Sequence, residues 1–376
     1  MRVMAIAVAG AFLAVLAALV AAAGGRSQPA RTTADPYAVV HAWIPATHTA
    51  CNHTRGRLTY HYPVRPFLVQ HPIRGNFGDP RTVQPNGDVP IGTPGAALVS
   101  FHNGVDISAE TGTAVYPVVS GVATIGYADE VIVGTGDGRV FQYFHVKPAI
   151  RRGQRVIAYR TVIGHVLPEA LHVHLSEIDG FQIHNPADPG HLEPYADTTI
   201  PTVVNVTYAN ASGTSLDRRA LRGRVFIAAS AQDAPPLPVP LPWLGFPVTP
   251  ALVTWQLTNR EGRIVVPATV SADFRHTVPA NRFFWTVYAA GTYQNFPVYG
   301  DVYHFGEPGR YLFNLTPRGL DTTRLPDGNY QLTVHIADVC GNRGLLAERI
   351  TVDNAPKSAL SASRPLAPST ATTNHP

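Results

Sequence analysis

The chain has 376 residues and a net charge of +4, and only 14% of its residues are charged, where a soluble domain commonly has about 25%. Because it has no cluster of Lys and Arg, no nucleic-acid partner is expected. Two cysteines exclude both a disulfide framework and a Cys-based zinc site. With 45% hydrophobic residues the chain can bury a core, and its 32 Gly and 34 Pro favour many short strands over long helices.

The first 23 residues have the pattern of an export signal. Arg2 supplies the positive charge, residues 3–20 are almost wholly apolar, and residues 21–23 form a small-residue cleavage site. An uncleaved membrane anchor is the alternative, because the apolar run approaches the ~20 residues that span a bilayer. In either case the sequence predicts that the rest of the chain is secreted or lies in the cell envelope. A membrane contact is expected only if the leader is not cleaved.

Composition divides the remaining chain into four segments, which are a polar linker at 24–45, folded regions at 46–199 and 200–354, and a tail at 355–376. The tail is rich in Ala, Ser, Thr and Pro and is expected to be disordered. Twelve of the 16 histidines precede residue 200. Any chemistry is therefore expected in the first folded region.

Short strands and frequent turns predict an antiparallel β domain in the first folded region. No 3.6-residue periodicity is sustained there, and the glycine-rich segment at 134–138 is a hairpin-type turn. Asp129 and Glu130 lie near another turn and are interpreted as solvated. The predicted strands are 113–119, 122–127, 130–133, 139–146, 155–159 and 171–178.

The second folded region repeats the all-β pattern and is predicted to be an immunoglobulin-like β-sandwich. Its predicted strands are 203–208, 224–231, 253–258, 263–266, 311–315, 329–337 and 346–352. The Pro-rich stretch at 234–250 is too long for a tight turn and is expected to be a surface excursion. Trp255 and Trp285 are expected either in the sandwich core or on a carbohydrate-stacking face.

A set of histidines and one aspartate has the spacing of a metal site. His102 and Asp106 stand in SFHNGVDIS, and His172 and His174 stand in LHVHLSE. Catalytic zinc usually has three protein ligands from His and Asp or Glu, which His102, Asp106 and one histidine of the later pair would supply. Residues two apart in a strand share a face, so spacing alone does not choose between His172 and His174.

A further histidine stands on the predicted strand after the glycine-rich turn. Strand alternation places Tyr143 and His145 on one face and Phe144 on the other. A histidine beside a metal-bound water is suited to act as a general base or as an electrostatic stabiliser. A lone His-x-His pair occurs by chance, but its combination with these motifs in one short-strand domain is more specific.

Together these motifs resemble the M23 (LytM/lysostaphin-type) peptidases, zinc metalloendopeptidases that cut peptidoglycan peptides. The matching segments are GNFGDPR, HNGVD, YFH, RRGQRVIAYRTVIGHV and HVHLSE. The resemblance spans about residues 62–195, roughly a third of the chain. The loop between Gly164 and His172 is short and lacks the family's Gly-rich turn, which leaves the shape of the cleft and the choice of substrate open.

The resemblance implies an all-β fold, with a LytM-like antiparallel peptidase domain of the duplicated-hybrid-motif type at 46–199 followed by the β-sandwich. It implies one Zn²⁺ per chain, and the ligands it assigns are His102, Asp106 and His174. The catalytic histidines it implies are His145 and His172, either of which can be the general base. Tyr143 is expected to bind substrate.

The resulting hypothesis is an exported zinc metalloendopeptidase whose partner is a peptidoglycan peptide, in stem peptides or cross-bridges. The alternatives are a non-catalytic cell-wall-binding or regulatory protein on the same fold, and a surface structural or adhesive β-protein. Outside the cytoplasm a disulfide between Cys51 and Cys340 is allowed, with two free thiols as the alternative. The oligomeric state and the scissile bond are left open.

Overall fold

The structure is a computed structural model that describes residues 51, 59–83, 98–168, 170–295 and 307–355. The predicted export signal and the linker lie outside the described residues, as does the tail apart from Ala355. Within the described part of the chain, no helix combines the length and the apolar character that crossing a membrane requires.

The first region consists of short strands in one large sheet and two small ones. The strands are β1 Ile73–Gly75, β2 Pro80–Val83, β3 Leu98–Phe101, β4 Val105–Ser108, β5 Ala114–Val115, β6 Gly121–Ile125, β7 Glu130–Gly134, β8 Arg139–Phe144, β9 Val146–Pro148, β10 Gln154–Val156, β11 Gly164–Val166, β12 His172–Asp179 and β13 Gln182–His184. The large sheet has the order β1-β4-β12-β8-β7-β6-β10, with β13 on β12, and the small sheets are β5-β11-β9 and β2-β3.

The second region consists of two four-stranded sheets with very little helix. Its strands are β14 Thr202–Ala209, β15 Arg224–Gln232, β16 Leu252–Asn259, β17 Ile264–Asp273, β18 Leu312–Asn314, β19 Leu320–Asp321, β20 Gly328–Ala337 and β21 Arg343–Val352. One sheet has the order β14-β15-β18 with β19 on β15, and the other has the order β17-β16-β20-β21. The helical pieces are α1 Phe284–Val287 and the 3-10 turns Asn281–Phe283 and Thr322–Arg324.

Pairing between these strands is antiparallel throughout the described residues, which confirms the predicted all-β class. One predicted strand is interrupted: His145 has φ = 63°, so β8 ends at Phe144 and β9 begins at Val146. The strands of residues 73–108 were not predicted, because each has only three or four residues and shows little alternation.

The hydrophobic core of the sandwich extends into the first region. Phe77 and Phe101 are buried in the same cluster as Phe274 and Tyr288. Trp255 also lies in this core with 4% of its surface exposed, which favours the core alternative over a carbohydrate-stacking face. The two sets of sheets are therefore packed together through shared aromatic residues.

A covalent link also joins distant parts of the chain. Cys51 and Cys340 form a disulfide, with their Cα atoms 5.0 Å apart across 289 residues of sequence. Of the two alternatives that the sequence leaves open, the structure therefore has the disulfide. It attaches the segment before β1 to the turn that follows β20.

Candidate metal centre

Two neighbouring strands bring the predicted metal ligands to one face of the large sheet. β12 pairs with β4 so that His174 lies directly opposite Asp106. His102 follows β3 immediately and precedes Asp106 by four residues. The three side chains meet as a result, and all three are buried.

The three candidate ligand atoms form a compact triangle. His102 Nε2 lies 3.0 Å from Asp106 Oδ1 and 2.8 Å from His174 Nδ1, and His174 Nδ1 lies 3.1 Å from Asp106 Oδ1. Tetrahedral zinc with bonds of about 2.0–2.1 Å separates its ligand atoms by about 3.3 Å. Two imidazoles and one carboxylate at this spacing fit a Zn²⁺ ion and leave one position for water or substrate.

Neighbouring groups hold the other ring nitrogens of the two histidines. His102 Nδ1 donates a hydrogen bond to the Asn76 carbonyl oxygen at 2.7 Å, and His174 Nε2 lies 2.8 Å from Ser176 Oγ. A hydrogen on Nδ1 of His102 leaves the lone pair of its Nε2 directed toward the triangle. Metal-binding histidines are typically oriented by such partners.

The two carboxylate oxygens of Asp106 have different neighbours. Oδ1 faces the histidines, whereas Oδ2 accepts a hydrogen bond from Arg81 Nη2 at 2.8 Å and lies 3.3 Å from Arg74 Nη2. Burial opposes ionisation of Asp106, but the adjacent His102 and both guanidinium groups outweigh it and hold the pKa of Asp106 well below its usual range. Burial, helped by the charge of Arg81, lowers the pKa of His102 to about 3. An ionised carboxylate beside neutral imidazoles is the state that binds metal.

Two glycines allow the close approach of chains at this site. A Cβ atom at Gly104 would lie 2.7 Å from His174 Nε2 and even closer to the Leu175 carbonyl oxygen. A Cβ atom at Gly75 would lie 2.6 Å from Asp106 Oδ2. Gly104 of the HNGVD segment and Gly75 of the GNFGDPR segment are therefore required by packing against the candidate ligands.

The two predicted catalytic histidines lie beside the triangle, with their ring centroids 4.6 Å apart. His172 shares a face of β12 with His174, and its Nε2 lies 3.5 Å from Asp106 Oδ1. Its Nδ1 donates a hydrogen bond to the Ala170 carbonyl oxygen at 2.6 Å. The left-handed backbone of His145 turns its ring toward His172.

Different partners surround these two histidines. Arg74 Nη2 donates to His172 Nε2 at 3.0 Å, and burial together with this positive charge holds the pKa of His172 well below its usual range. His145 Nδ1 lies 3.4 Å from Asp129 Oδ2, and hydrogen bonding to His145 lowers the pKa of Asp129. Asp129 therefore contacts a site residue, contrary to its interpretation as solvated.

Tyr143 does not lie on the face of the candidate centre, where strand alternation predicted its side chain together with His145. Its side chain is fully buried in the core of the first region, and its hydroxyl accepts a hydrogen bond from the Val118 amide at 2.8 Å. The predicted strand alternation fails because the backbone changes conformation at His145. A substrate-binding role for Tyr143 does not fit this position, because a side chain with no exposed surface cannot reach a substrate.

The Pro-rich stretch at 234–250, predicted to be a surface excursion, contributes a side chain to the site. Trp243 is 5% exposed, its ring centroid lies 4.3 Å from the Arg74 guanidinium carbon, and it meets the His172 ring edge to face at 6.3 Å. Leu241 in the same stretch is 75% exposed, as expected of an excursion. The stretch is thus anchored by Trp243 against the candidate centre.

The residues that surround the candidate ligands were not predicted from the sequence. Arg74 and Arg81 stand on either side of the Gly-Asn-Phe-Gly-Asp-Pro turn. Two positive charges beside that motif were the one sign in the sequence that these residues belong to the site. Trp243 gave no local signal, because it reaches the site from the other folded region.

Comparison with known proteins finds no matching family model and no similar curated protein. Solved structures with a related arrangement include the SpoIIIAH–SpoIIQ complex, with 18% identity over 34% of this chain and 97% of that chain and a TM-score of 0.26. A mutant of the catalytic domain of the prophage-encoded M23 protein EnpA from Enterococcus faecalis shows 22% identity over 36% and 99%, with a TM-score of 0.25. The deep-sea M23 metalloprotease pseudoalterin shows 16% identity over 38% and 82%, with a TM-score of 0.24. Each likeness is slight and covers little more than a third of this chain.

Proposed function

We propose that this chain is an exported zinc metalloendopeptidase that hydrolyses peptide bonds in peptidoglycan stem peptides or cross-bridges. The proposal rests on one observation, the triangle formed by His102 Nε2, Asp106 Oδ1 and His174 Nδ1 with sides of 2.8–3.1 Å. The N-terminal export pattern and the Cys51–Cys340 disulfide support a location outside the cytoplasm. The motif resemblance supports the substrate class.

When bound, Zn²⁺ polarises a substrate carbonyl and makes a water molecule more acidic. We assign the general base to His145, because Asp129 lies 3.4 Å from its Nδ1 and can stabilise the ring when it gains a proton. Its side chain is also 18% exposed, whereas that of His172 is 3% exposed.

His172 has a different assignment in this proposal. Its Nε2 already accepts a hydrogen bond from Arg74, and its lowered pKa keeps the ring neutral. We assign Arg74 to electrostatic stabilisation of the oxygen that becomes negative as the carbonyl is attacked, and His172 to holding the Arg74 guanidinium in position. The positive charge of Arg74 is fixed in the site before any substrate binds.

The second candidate function is a non-catalytic cell-wall-binding or regulatory protein on the same fold. The observation that favours it is the enclosure of the centre: His102 and Asp106 are 2% exposed, His174 is 6% exposed, and Trp243 packs against the neighbouring His172 and Arg74. In this second function, the stretch around Trp243 would keep a substrate away from the candidate ligands.

Zinc analysis combined with a peptidoglycan-clearing assay, with and without chelator, separates the two functions. The enzyme is expected to contain one zinc per chain and to lose activity with chelator. His174→Ala should lose both zinc and hydrolysis, whereas His145→Ala should keep zinc and lose about 10²–10⁴-fold in turnover. His165→Ala changes an exposed histidine on β11 and serves as the matched control. Zinc-free protein without chelator-sensitive hydrolysis would overturn the enzyme proposal, and full activity of His145→Ala would remove the role of His145.

A further inference from the structure

A second cluster of candidate ligands lies where the two folded regions meet. Asp197, Asp233 and Asp338 are all buried, and one oxygen from each lies within 4.8 Å of the others. Asp197 precedes β14, Asp233 follows β15 directly, and Asp338 follows β20 directly. The cluster therefore connects three segments that are far apart in sequence.

The three carboxylates of this cluster have no cationic side chain beside them among the described residues. In the described parts of the chain, no Lys, Arg or His forms an ion pair with any of the three carboxylates. Burial and mutual repulsion raise the pKa of Asp233 to about 8 and that of Asp338 to about 7. Buried carboxylates are normally paired with a cation or coordinate a metal.

One oxygen of the cluster has no hydrogen-bond partner among the described residues. Asp233 is 4% exposed, and its buried Oδ2 accepts no hydrogen bond from them. Its Oδ1 accepts from the Ala234 amide at 2.8 Å and lies 3.3 Å from the Thr199 hydroxyl. That hydroxyl also lies 2.5 Å from Asp197 Oδ1, and its single hydrogen can serve only one of the two carboxylates.

The other two aspartates are held in place by the backbone and by one amide. Asn342 donates to Asp338 from its backbone amide at 2.8 Å and from Nδ2 at 2.6 Å, and its Nδ2 also lies 2.8 Å from the Asp197 carbonyl oxygen. A small cavity lined by Asp197, Asp338 and Tyr195 borders the cluster. The carboxylates of Asp197 and Asp338 are therefore held in position, and space exists beside these two residues.

We propose that Asp197, Asp233 and Asp338 bind a Ca²⁺ ion that fastens the second folded region to the first. A site made only of oxygen atoms selects a hard cation, and Ca²⁺ takes six to eight oxygens from carboxylates, carbonyls and water. Extracellular modules use Ca²⁺ sites with a Kd of about 10⁻⁴–10⁻³ M, within reach of three carboxylates. Asp338 is two residues from Cys340, so the ion and the disulfide restrain the same turn.

The test is calorimetric titration of the full chain with CaCl₂ and thermal unfolding with and without CaCl₂, with one equivalent of Zn²⁺ present throughout. We expect one Ca²⁺ per chain and a rise in Tm. Asp233→Asn should weaken Ca²⁺ binding at least about tenfold, because it removes one ligand charge. Asp338→Asn should do the same and provides a second variant if the first does not fold.

Two controls isolate this site from the other centre. Asp179→Asn removes an exposed carboxylate at the end of β12 and should bind Ca²⁺ as the unchanged chain does. His174→Ala, which disrupts the candidate zinc centre, should also retain Ca²⁺ binding. Absence of both the binding heat and the Tm shift, or unchanged Ca²⁺ affinity in the folded Asp233→Asn variant, would overturn the proposal.

Discussion

Asn76 Nδ2 donates a hydrogen bond to the Thr249 carbonyl oxygen at 3.2 Å, joining the turn beside the candidate metal centre to the second folded region. The Thr249 amide donates to Asp79 Oδ1 of the same turn at 2.7 Å. The Asn76 carbonyl oxygen in turn accepts the hydrogen on Nδ1 of His102. A residue of the second region is thus two hydrogen bonds from the candidate metal ligand His102, and that region supports the geometry of the site.

Asn76→Ala removes this side-chain link while leaving the backbone carbonyl that His102 uses. We expect zinc affinity to fall about tenfold, because a partner that orients a ligand becomes less firmly held. Competition with a zinc chelator of known affinity measures the change. Asn205→Ala, at an exposed position of β14, is the control. Equal affinities for the two variants would show that the link to Thr249 does not orient the ligand.

Gly104→Ala tests the close packing behind the ligands. The added Cβ would lie 2.7 Å from His174 Nε2, so either His174 or β12 must shift. We expect a loss of about 1–3 kcal/mol in the free energy of unfolding and weaker zinc binding. Gly136→Ala is the matched control, because a Cβ there would meet nothing within 4 Å. Chemical denaturation with and without zinc measures the stability of both variants. A Gly104→Ala variant as stable as Gly136→Ala would contradict the packing argument.

Local patterns predicted only part of the site. A period of two on one strand places His172 and His174 on the same face, and the short spacing in HNGVD keeps His102 close to Asp106. The antiparallel pairing that sets His174 opposite Asp106 was not predicted, because β4 itself was not recognised in the sequence. The choice of His174 over His172 came from the family resemblance.

Long-range contacts and exceptional backbone angles were not predictable in the same way. Trp243 and Thr249 reach the site from the second folded region, and nothing near them in the sequence marks the destination. His145 adopts a positive φ that is rare for a residue with a side chain, so the alternation from Tyr143 did not continue. These features depend on tertiary packing, which a pattern of polar and apolar residues does not encode.

Glu130→Gln is expected to stabilise the protein in a pH-dependent way. Burial raises the pKa of Glu130 from 4.5 to about 7, so the folded state holds its proton more tightly than the unfolded state. Stability is therefore lost as the pH rises from about 4.5 to about 7, and the full loss remains above pH 7. Gln142 Nε2 donates a hydrogen bond to Glu130 Oε1 at 3.0 Å. Gln142 Oε1 is buried and has no hydrogen-bond partner among the described residues. If the Gln142 side-chain amide flips, this oxygen can accept a hydrogen bond from the amide introduced at position 130.

Thermal unfolding across this pH range measures the effect. The Tm of the Glu130→Gln variant should approach that of the unchanged chain below pH 4.5 and exceed it by a few degrees above pH 7. Glu110→Gln, at an exposed position, should show no such trend. A Tm difference that does not change with pH would mean that Glu130 ionises normally in the folded protein.

Trp243→Ala tests whether the Pro-rich stretch limits access to the candidate centre. The substitution removes the ring that stacks on Arg74 and contacts His172, and a buried Trp replaced by Ala costs about 3–5 kcal/mol of stability. We expect the zinc-loaded variant to lose metal to a chelator several-fold faster than the unchanged chain at a temperature where both are folded. The same variant should clear peptidoglycan faster if the chain is a peptidase. Leu241→Ala changes an exposed residue of the same stretch and should alter neither rate. Unchanged chelator kinetics in folded Trp243→Ala would show that metal exchange follows a path that Trp243 does not block.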